Sequence, residues 1–211
     1  MILSMIAAVD QNRAIGAGGE LLYSQREDLK RFKTLTKGRA VILGRKTYQS
    51  LPGSKPLAER KHYILSQKGF VINNEYSESC IVCDNLKSLM DKLRTDIELK
   101  YLNSDESKLD LVQDSHTIDL DKIKDINYIP NVDAYVIGGD SVYSQFIDKS
   151  DILEITEILT AAKNADSYFP YIDENCFSLI AESEVFTGIA YNFLTKKSET
   201  ISFKYKRYIR K

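Results

Sequence analysis

The chain has 211 residues, 43% of them hydrophobic and 28% charged, and its 29 basic residues nearly balance its 30 acidic ones. This length suits one domain, and the small number of glycines (10) and prolines (4) excludes disordered and fibrous proteins. A formal charge of −1 produces no strong field, so we expect binding neither to nucleic acid nor to a membrane surface.

The N-terminus predicts a buried strand rather than a targeting segment. Residues 2–9 are almost all apolar, but no basic leader precedes them and Asp10 ends the run. No apolar run in the chain reaches the roughly 20 residues of a membrane span. Three cysteines are too few for a disulfide scaffold and favour a reducing compartment, so we expect a cytoplasmic protein.

Cys80 and Cys83 form a C-x-x-C motif, which in some proteins marks a redox or zinc site. The segment is β-branched and apolar, and positions i and i+3 of a strand face opposite sides. No second cysteine pair accompanies the motif, and His62 and His116 show no ligand spacing. The pattern therefore predicts a strand and no metal site.

Helical and strand patterns alternate after the first strand. A Gly-rich loop at 10–24 leads into a helix that Ser24 would cap, with Glu27 completing a capping box and apolar residues recurring from Leu29 to Leu35. The later elements are predicted at 40–44 (strand), 46–51 (helix), 62–66 (strand), 81–82 (strand), 84–93 (helix), 134–137 (strand), 142–146 (helix), 152–159 (strand) and a β-rich run from about 177 to the end. This order predicts an α/β fold with a mixed, mostly parallel sheet and about four flanking helices.

Residues 94–131 are the irregular part of the chain. They contain nine acidic and five basic residues and too few apolar residues for a core of their own. We predict one domain over 1–211 with a surface insertion at about 94–131, in which the stretch 109–120 could add a hairpin.

Glycines at 16–19 follow the first strand, where a dinucleotide fingerprint would lie. The G-x-G-x-x-G pattern needs glycine at position 21, where the chain has leucine, so the common Rossmann motif is excluded. The segment is then either an ordinary exposed loop or a mobile lid.

Asp28 stands in the first turn of the predicted helix. A carboxylate there is explained by the helix dipole alone, but it could also face a pocket next to Phe32. In that case its two oxygens could hold a flat, amidine-like ring.

Two strand-to-helix junctions contain glycine. Gly44 is followed by Arg45, and this order indicates an anion site because helix N-termini and arginine attract phosphate. Gly138 and Gly139 predict either a tight turn or a close backbone approach to a ligand such as a pyrophosphate.

These segments, taken in order, resemble dihydrofolate reductases. The matching strings are I-A-A at 6–8, I-G at 15–16, D-L and F-K within 28–33, G-R-K-T-Y-Q-S-L at 44–51, P-L, R and I-L-S within 56–66, V-I-G-G and Y within 136–143, and I-T with D-S-Y-F-P within 155–170. Each motif is modest, but their order across most of the chain makes the resemblance specific.

The resemblance implies the family's single-domain α/β fold, with an eight-stranded mixed sheet and an antiparallel C-terminal edge strand. It also implies NADPH-dependent reduction of 7,8-dihydrofolate to 5,6,7,8-tetrahydrofolate for one-carbon and thymidylate metabolism. We expect a monomer that binds dihydrofolate and antifolates.

The resemblance further implies roles for individual residues. Asp28 would hold the pteridine and favour protonation of N5, Thr156 would hydrogen-bond Asp28, and Tyr23 stands where the family usually has a water-ordering tryptophan. Substrate contacts are implied for Ile6, Ala7, Leu21, Phe32, Leu51, Leu57, Arg60, Ile137 and Tyr143. Arg60 would bind the glutamate α-carboxylate, although Glu59 stands beside it where glycine is common.

The cofactor side is implied by a second set of residues. They are Ala8, Ile15, Gly16, Gly44, Arg45, Lys46, Thr47, Leu65, Ser66, Gln67, Lys68, Gly138, Gly139, Asp140, Ser141, Val142 and Tyr143. Among them, Arg45, Ser66 and Lys68 would meet the 2′-phosphate of NADPH. The family also has a lid matching 16–22 and a cis peptide bond within its glycine pair.

Two alternative functions stay open. A riboflavin-pathway pyrimidine reductase shares this fold and cofactor site but should lack the helix-start carboxylate and the glutamate-binding arginine, so Asp28 with Arg60 favours folate. A catalytically silent protein that binds folate or a nucleotide is the other alternative, although such a protein need not keep the whole site.

Overall fold

The computed structural model describes residues 1–67, 69–102 and 117–211. Its strands are β1 (Leu3–Asp10), β2 (Ala14–Ala17), β3 (Glu20–Leu21), β4 (Tyr23–Gln25), β5 (Ala40–Gly44), β6 (Lys61–Leu65), β7 (Cys80–Cys83), β8 (Ala134–Gly138), β9 (Ile152–Ile158), β10 (Ser167–Tyr168), β11 (Phe177–Glu182), β12 (Phe186–Asn192) and β13 (Lys197–Arg210). The α-helices are α1 (Arg26–Thr36), α2 (Arg45–Ser50), α3 (Leu86–Leu102) and α4 (Asp140–Phe146), and short 3-10 turns lie at Pro52–Ser54, Asn74–Tyr76, Lys122–Lys124 and Ile147–Lys149.

A central sheet dominates the described part of the chain. Its strand order is β4-β12-β13-β9-β1-β8-β5-β6-β7, and β11 also pairs with β13. Strands β9, β1, β8, β5, β6 and β7 run parallel, whereas β13 is antiparallel to β9, β11 and β12. The predicted α/β class, a mixed, mostly parallel sheet with an antiparallel edge and about four flanking helices, is confirmed in the described residues, but there the sheet has ten strands rather than eight.

The segment predicted as a Gly-rich loop at 10–24 instead contains three short strands. Strands β2 and β3 pair around Gly18 and Gly19, whose φ angles are +61° and +82°, and β10 pairs with β2. Both turn glycines adopt the left-handed region that other residues avoid. A loop was predicted because strands of two to four residues are too short to show an alternating pattern.

Helix α1 begins one residue later than predicted. Ser24 belongs to β4, where it pairs with Tyr191 of β12, and Gln25 is the N-cap residue. The Gln25 side chain accepts a hydrogen bond from the Asp28 N–H at 2.6 Å and also contacts Glu27. The predicted capping box at Ser24 is therefore wrong, because its backbone is still paired in the sheet.

The core lies on both faces of the parallel strands. Met5 of β1 is fully buried against the α3 and α4 side, whereas Ile6 packs with Leu35 of α1 on the other side. Cys80 and Cys83 likewise lie in two different clusters, and both thiols are free. The strand predicted for this C-x-x-C segment, with its thiols on opposite faces, is confirmed.

Helix α3 continues to Leu102, so regular structure extends past the start predicted for the irregular region at 94. The predicted hairpin at 109–120 lies mostly outside the described residues. In the described segment that begins at residue 117, the chain packs closely against the rest of the fold. Ile123 is 1% exposed, and its carbonyl accepts a hydrogen bond from buried Arg207 at 3.0 Å.

Within the described ranges, no helix has both the length and the apolar character needed to cross a membrane.

Candidate active site

The carboxylate of Asp28 lies where helix α1 crosses strand β9. Thr156 Oγ1 of β9 donates a hydrogen bond to Asp28 Oδ1 at 2.5 Å, while the Asp28 N–H is held by Gln25. Asp28 Oδ2 accepts no hydrogen bond from the described residues, so it can accept a further hydrogen bond. Asp28 is half-buried, and desolvation raises the pKa of its carboxyl against the Thr156 hydrogen bond and the charge of Arg31, which both lower it.

Tyr143 lies close enough to this carboxylate for the charge of Asp28 to raise the pKa of its phenol further, beyond the larger effect of burial. Tyr143 is buried against Phe169, with ring centroids 4.9 Å apart, and its hydroxyl donates to the Ile6 carbonyl at 2.7 Å. Of the other predicted substrate residues, Ala7 is buried and four are half-buried: Phe32, Leu51, Leu57 and Ile137. Leu21 is 58% exposed on strand β3, so the structure does not bring it into this buried group.

Arg60 is anchored at the C-terminal end of α1. Its guanidinium donates to the Lys33 carbonyl at 3.1 Å, to Thr36 Oγ1 at 3.1 and 3.2 Å, and to the Ala58 carbonyl at 2.6 Å. Glu59 forms its ion pair with Lys37 at 3.1 Å. The carboxylate of Glu59 is therefore paired with Lys37. The Arg60 guanidinium is held in one orientation by its hydrogen bonds to α1 and to Ala58.

His62 supports the backbone at Leu57. It is fully buried, and its Nε2 accepts a hydrogen bond from the Leu57 N–H at 3.0 Å. Burial lowers the pKa of His62 to about 4. The ring is therefore neutral near pH 7, and its Nε2 is free to accept this bond.

We expect acid to destabilise the protein through His62. Between pH 6.5 and 4 the unfolded chain binds a proton that the folded chain excludes, so folded-state stability falls as the pH drops through this window. His62→Gln keeps an acceptor for Leu57 and removes the titration, which should reduce the change in unfolding free energy between pH 7 and pH 5 by about 2 kcal/mol. Urea unfolding of both proteins at pH 7 and pH 5 measures this; equal losses of stability in both would contradict the assignment.

A cavity of about 920 Å³ lies at the carboxyl ends of β5, β6 and β8. Eleven of the predicted cofactor residues line it: Gly44, Arg45, Lys46, Thr47, Leu65, Ser66, Gln67, Gly139, Asp140, Ser141 and Val142. Helices α2 and α4 both begin at this cavity, and neither has a side-chain hydrogen bond at its glycine N-cap. The N–H groups at the start of α2, with the charges of Arg45 and Lys46, suit a phosphate-bearing ligand.

Side chains added at the glycines around this cavity would meet neighbouring groups at short range. A Cβ on Gly44 would lie 3.1 Å from Val142 Cγ2, and one on Gly139 would lie 3.3 Å from Thr47 Oγ1. The peptide bond between Gly138 and Gly139 is cis, as the resemblance implies.

Other predicted cofactor residues lie outside this cavity lining. Ala8 packs in a cluster with Tyr23, while Ile15 and Gly16 lie on β2. The Tyr23 hydroxyl is 3.0 Å from Thr160 Oγ1, so the structure pairs it with Thr160 and not with Asp28; its water-ordering role stays a prediction. Lys68 lies outside the described residues.

The sequence patterns missed several cavity residues, namely Gly69, Phe70, Asp84, Asn85, Leu86 and Gln145. They also missed Arg31, whose guanidinium donates to buried Glu154 at 2.6 Å, one helical turn from Asp28. The sequence position of Glu154 could have indicated such a partner, because a charged residue inside the apolar strand β9 needs a buried group of opposite charge.

Comparison with known proteins agrees with this geometry. A family model described as dihydrofolate reductase matches residues 2–102 and 103–198. A dihydrofolate reductase from Aedes albopictus is 30% identical over 191 residues, covering 86% of this chain and 85% of that protein. Dihydrofolate reductase HdrB from Haloferax volcanii is 30% identical over 171 residues (80% and 71%), and a dihydrofolate reductase from Bacillus subtilis is 26% identical over 183 residues (87% and 84%).

The family model covers nearly the whole chain, including Asp28, Thr156 and the residues that line the cavity. The chain belongs to the dihydrofolate reductase family.

Proposed function

We propose that this protein reduces 7,8-dihydrofolate to 5,6,7,8-tetrahydrofolate with NADPH. The observation that carries the proposal is the Asp28 carboxylate, held by Thr156 at 2.5 Å, with its second oxygen able to accept a further hydrogen bond. A carboxylate fixed in this way binds the amino group and ring nitrogen of a pterin through two hydrogen bonds.

Asp28 has a second part in the chemistry. Its desolvated carboxyl has a raised pKa, which brings its proton affinity closer to that of a pterin near neutral pH. When it is ionised, its negative charge favours a proton on the pterin ring, and a protonated N5 makes C6 a better hydride acceptor. Bound NADPH would supply the hydride to C6.

The apolar residues predicted to contact the substrate would orient it and exclude water. Phe32 and Ile6 would pack against the pterin, and Leu51 and Leu57 against the benzoyl ring. Dry, stacked rings shorten the approach of the two reacting carbons and strengthen the electrostatic effect of Asp28. Anchored Arg60 would bind the α-carboxylate of the substrate's glutamate through its charge and its remaining Nη1–H, because the other four guanidinium N–H groups already donate within the protein.

The cavity of about 920 Å³ is the proposed NADPH site. The N-termini of α2 and α4 would bind the pyrophosphate, and Arg45 with Ser66 would bind the 2′-phosphate. Two acids also line this cavity, but the Asp84 carboxylate is bonded by the Asn85 amide at 2.8 Å and that of Asp140 by the Ser141 N–H at 2.6 Å. These local donors reduce the repulsion between the acids and a bound phosphate.

A turnover assay tests the proposal. We expect dihydrofolate to cause loss of NADPH absorbance, and a 2,4-diaminopyrimidine or methotrexate to block it. Oxidation of NADPH with a ribosylamino-pyrimidine alone would support the riboflavin-pathway alternative. Ligand binding without any turnover would support the silent binding protein.

We expect Arg45→Met to reduce the preference for NADPH over NADH. A charge-assisted hydrogen bond contributes about 1.5–3 kcal/mol, so kcat/KM for NADPH should fall by about 10- to 100-fold while that for NADH changes little. Steady-state kinetics with both cofactors measures the ratio. Arg39→Met is the matched control, since Arg39 lies outside this cavity and contacts Asn131; an equal loss with both cofactors would contradict the 2′-phosphate contact.

A further inference from the structure

Helix α1 and the paired strands β9 and β13 meet beside Asp28. In the antiparallel ladder between β9 and β13, Thr156 lies opposite Tyr205 and Glu154 lies opposite Arg207. Residues two apart on a strand share one face, as residues three apart on a helix do. Helix α1 therefore contacts this face of the sheet at two successive positions. Asp28 contacts Thr156, and Arg31, one helical turn further on, contacts Glu154.

The second of these contacts belongs to a chain of buried ion pairs. Arg31 Nη2 donates to Glu154 Oε2 at 2.6 Å, and Arg207 Nε donates to Glu154 Oε1 at 2.6 Å. The side chains of Glu154 and Arg207 are both fully buried, and that of Arg31 is 13% exposed. The Arg31 guanidinium also lies 4.7 Å from the centroid of the Tyr205 ring. Each of the three charges is paired, as buried charges must be to be tolerated, although Arg31 Nη1 is buried without a hydrogen-bond partner among the described residues.

Arg207 connects this chain to the segment 123–128. Its guanidinium donates to the carbonyls of Ile123 at 3.0 Å, Asp125 at 2.7 Å and Tyr128 at 2.7 Å. These bonds satisfy the buried guanidinium and fix it from the side opposite Glu154. The far end of the network is thus rigid, and Arg31 at its near end lies on the same helix as Asp28.

We propose that Arg31, Glu154 and Arg207 form a positioning network that fixes α1 against β9 and keeps the Asp28 carboxylate ionised. The consequence for catalysis rests on the proposed function, in which an ionised Asp28 binds the pterin. Two arginines and one glutamate carry a net charge of +1 within the network. That charge opposes the cost of desolvating Asp28, and Arg31 is the member of the network whose charge lowers the pKa of Asp28.

The remaining ionisable groups around Asp28 do not replace this charge. Tyr143 of α4 and Tyr205 of β13 both have raised pKa values because they are buried and close to Asp28, and that of Tyr205 is raised to about 12. Both are neutral near pH 7. Glu27, exposed on α1, adds a negative charge and contacts Gln25. Arg31 is therefore the positive charge whose removal should change the ionisation of Asp28.

The test measures the titration of Asp28 in the free protein. The ¹³C signal of its side-chain carboxyl is followed against pH and assigned by its absence in Asp28→Asn. Arg31→Met and Arg31→Gln remove the charge, and the second keeps a hydrogen bond to Glu154 if the first fails to fold. We expect both to raise the titration midpoint, and the acid limb of kcat/KM to move upward with it.

Two control variants separate charge from structure. Arg31→Lys keeps the charge and should restore the midpoint, and Arg26→Met removes an exposed arginine from the same helix and should leave it unchanged. An unshifted midpoint in a folded charge-removing variant would overturn the network, because a purely structural role lowers stability without moving the titration. Since the titration needs no substrate, absence of dihydrofolate turnover in the unmodified protein would overturn the proposed function and leave this result standing.

Discussion

Asp28→Asn is expected to lower kcat for dihydrofolate reduction by about 10²- to 10⁴-fold near pH 7, the range that a positioned acid–base group contributes. The amide can still accept the hydrogen bond from Thr156, so the fold of the site should survive. It has no charge to favour a protonated pterin, and its NH₂ group replaces one of the two acceptors. Single-turnover kinetics at several pH values measures the loss directly.

The same variant should not lose stability. A carboxyl whose pKa is raised by burial destabilises the fold at any pH where it is ionised, and the neutral amide removes that cost. The activity deficit should narrow as the pH falls, because solvent then protonates the substrate without help. Glu27→Gln, in the same helical turn and exposed, is the matched control and should keep its turnover. Turnover of Asp28→Asn within tenfold of the unmodified protein at pH 7 would contradict the role.

Sequence patterns predicted the elements of this fold far better than their arrangement. Alternation of helical and strand periods predicted the α/β class, because each period reflects which face of an element is buried. The sheet order, in which β1 lies between β8 and β9, depends on contacts between distant segments that no local period encodes. Gln25 became the N-cap for the same reason: pairing of β4 with β12 decided where α1 begins.

The same limit applies to the candidate site: some of its residues were indicated by the sequence, and others are recognised only in the folded structure. Asp28 and Thr156 are 128 positions apart and were associated only through the family resemblance, and the structure brings them to 2.5 Å. None of the motifs that carry the resemblance includes Arg31, Glu154 or Arg207, so the resemblance did not indicate them. Their partnership depends on the register of β9 against β13, which is a property of the folded sheet.

Gly138→Ala is expected to destabilise the fold by about 2–5 kcal/mol, because backbone strain and overpacking add at this position. Gly138 has a φ of +105°, a value that alanine adopts only with strain, and a Cβ there would lie 2.8–3.0 Å from the Tyr143 ring and hydroxyl. Tyr143 has little room to move, since it packs against Phe169 and donates to the Ile6 carbonyl. Urea unfolding gives the free energy, and total stabilities of about 5–15 kcal/mol make such a loss easy to detect.

Gly139→Ala is the control that isolates the cause. Gly139 has a φ of −76°, which any residue adopts, and its added Cβ would meet the Thr47 hydroxyl at 3.3 Å. A side-chain hydroxyl yields by rotating, so we expect a stability cost below about 1 kcal/mol. The new methyl group would instead narrow the cavity that Gly139 and Thr47 line, and it should weaken binding of NADPH there if the proposed function holds. Equal destabilisation by the two substitutions would show that contact with Tyr143 is not what requires glycine at 138.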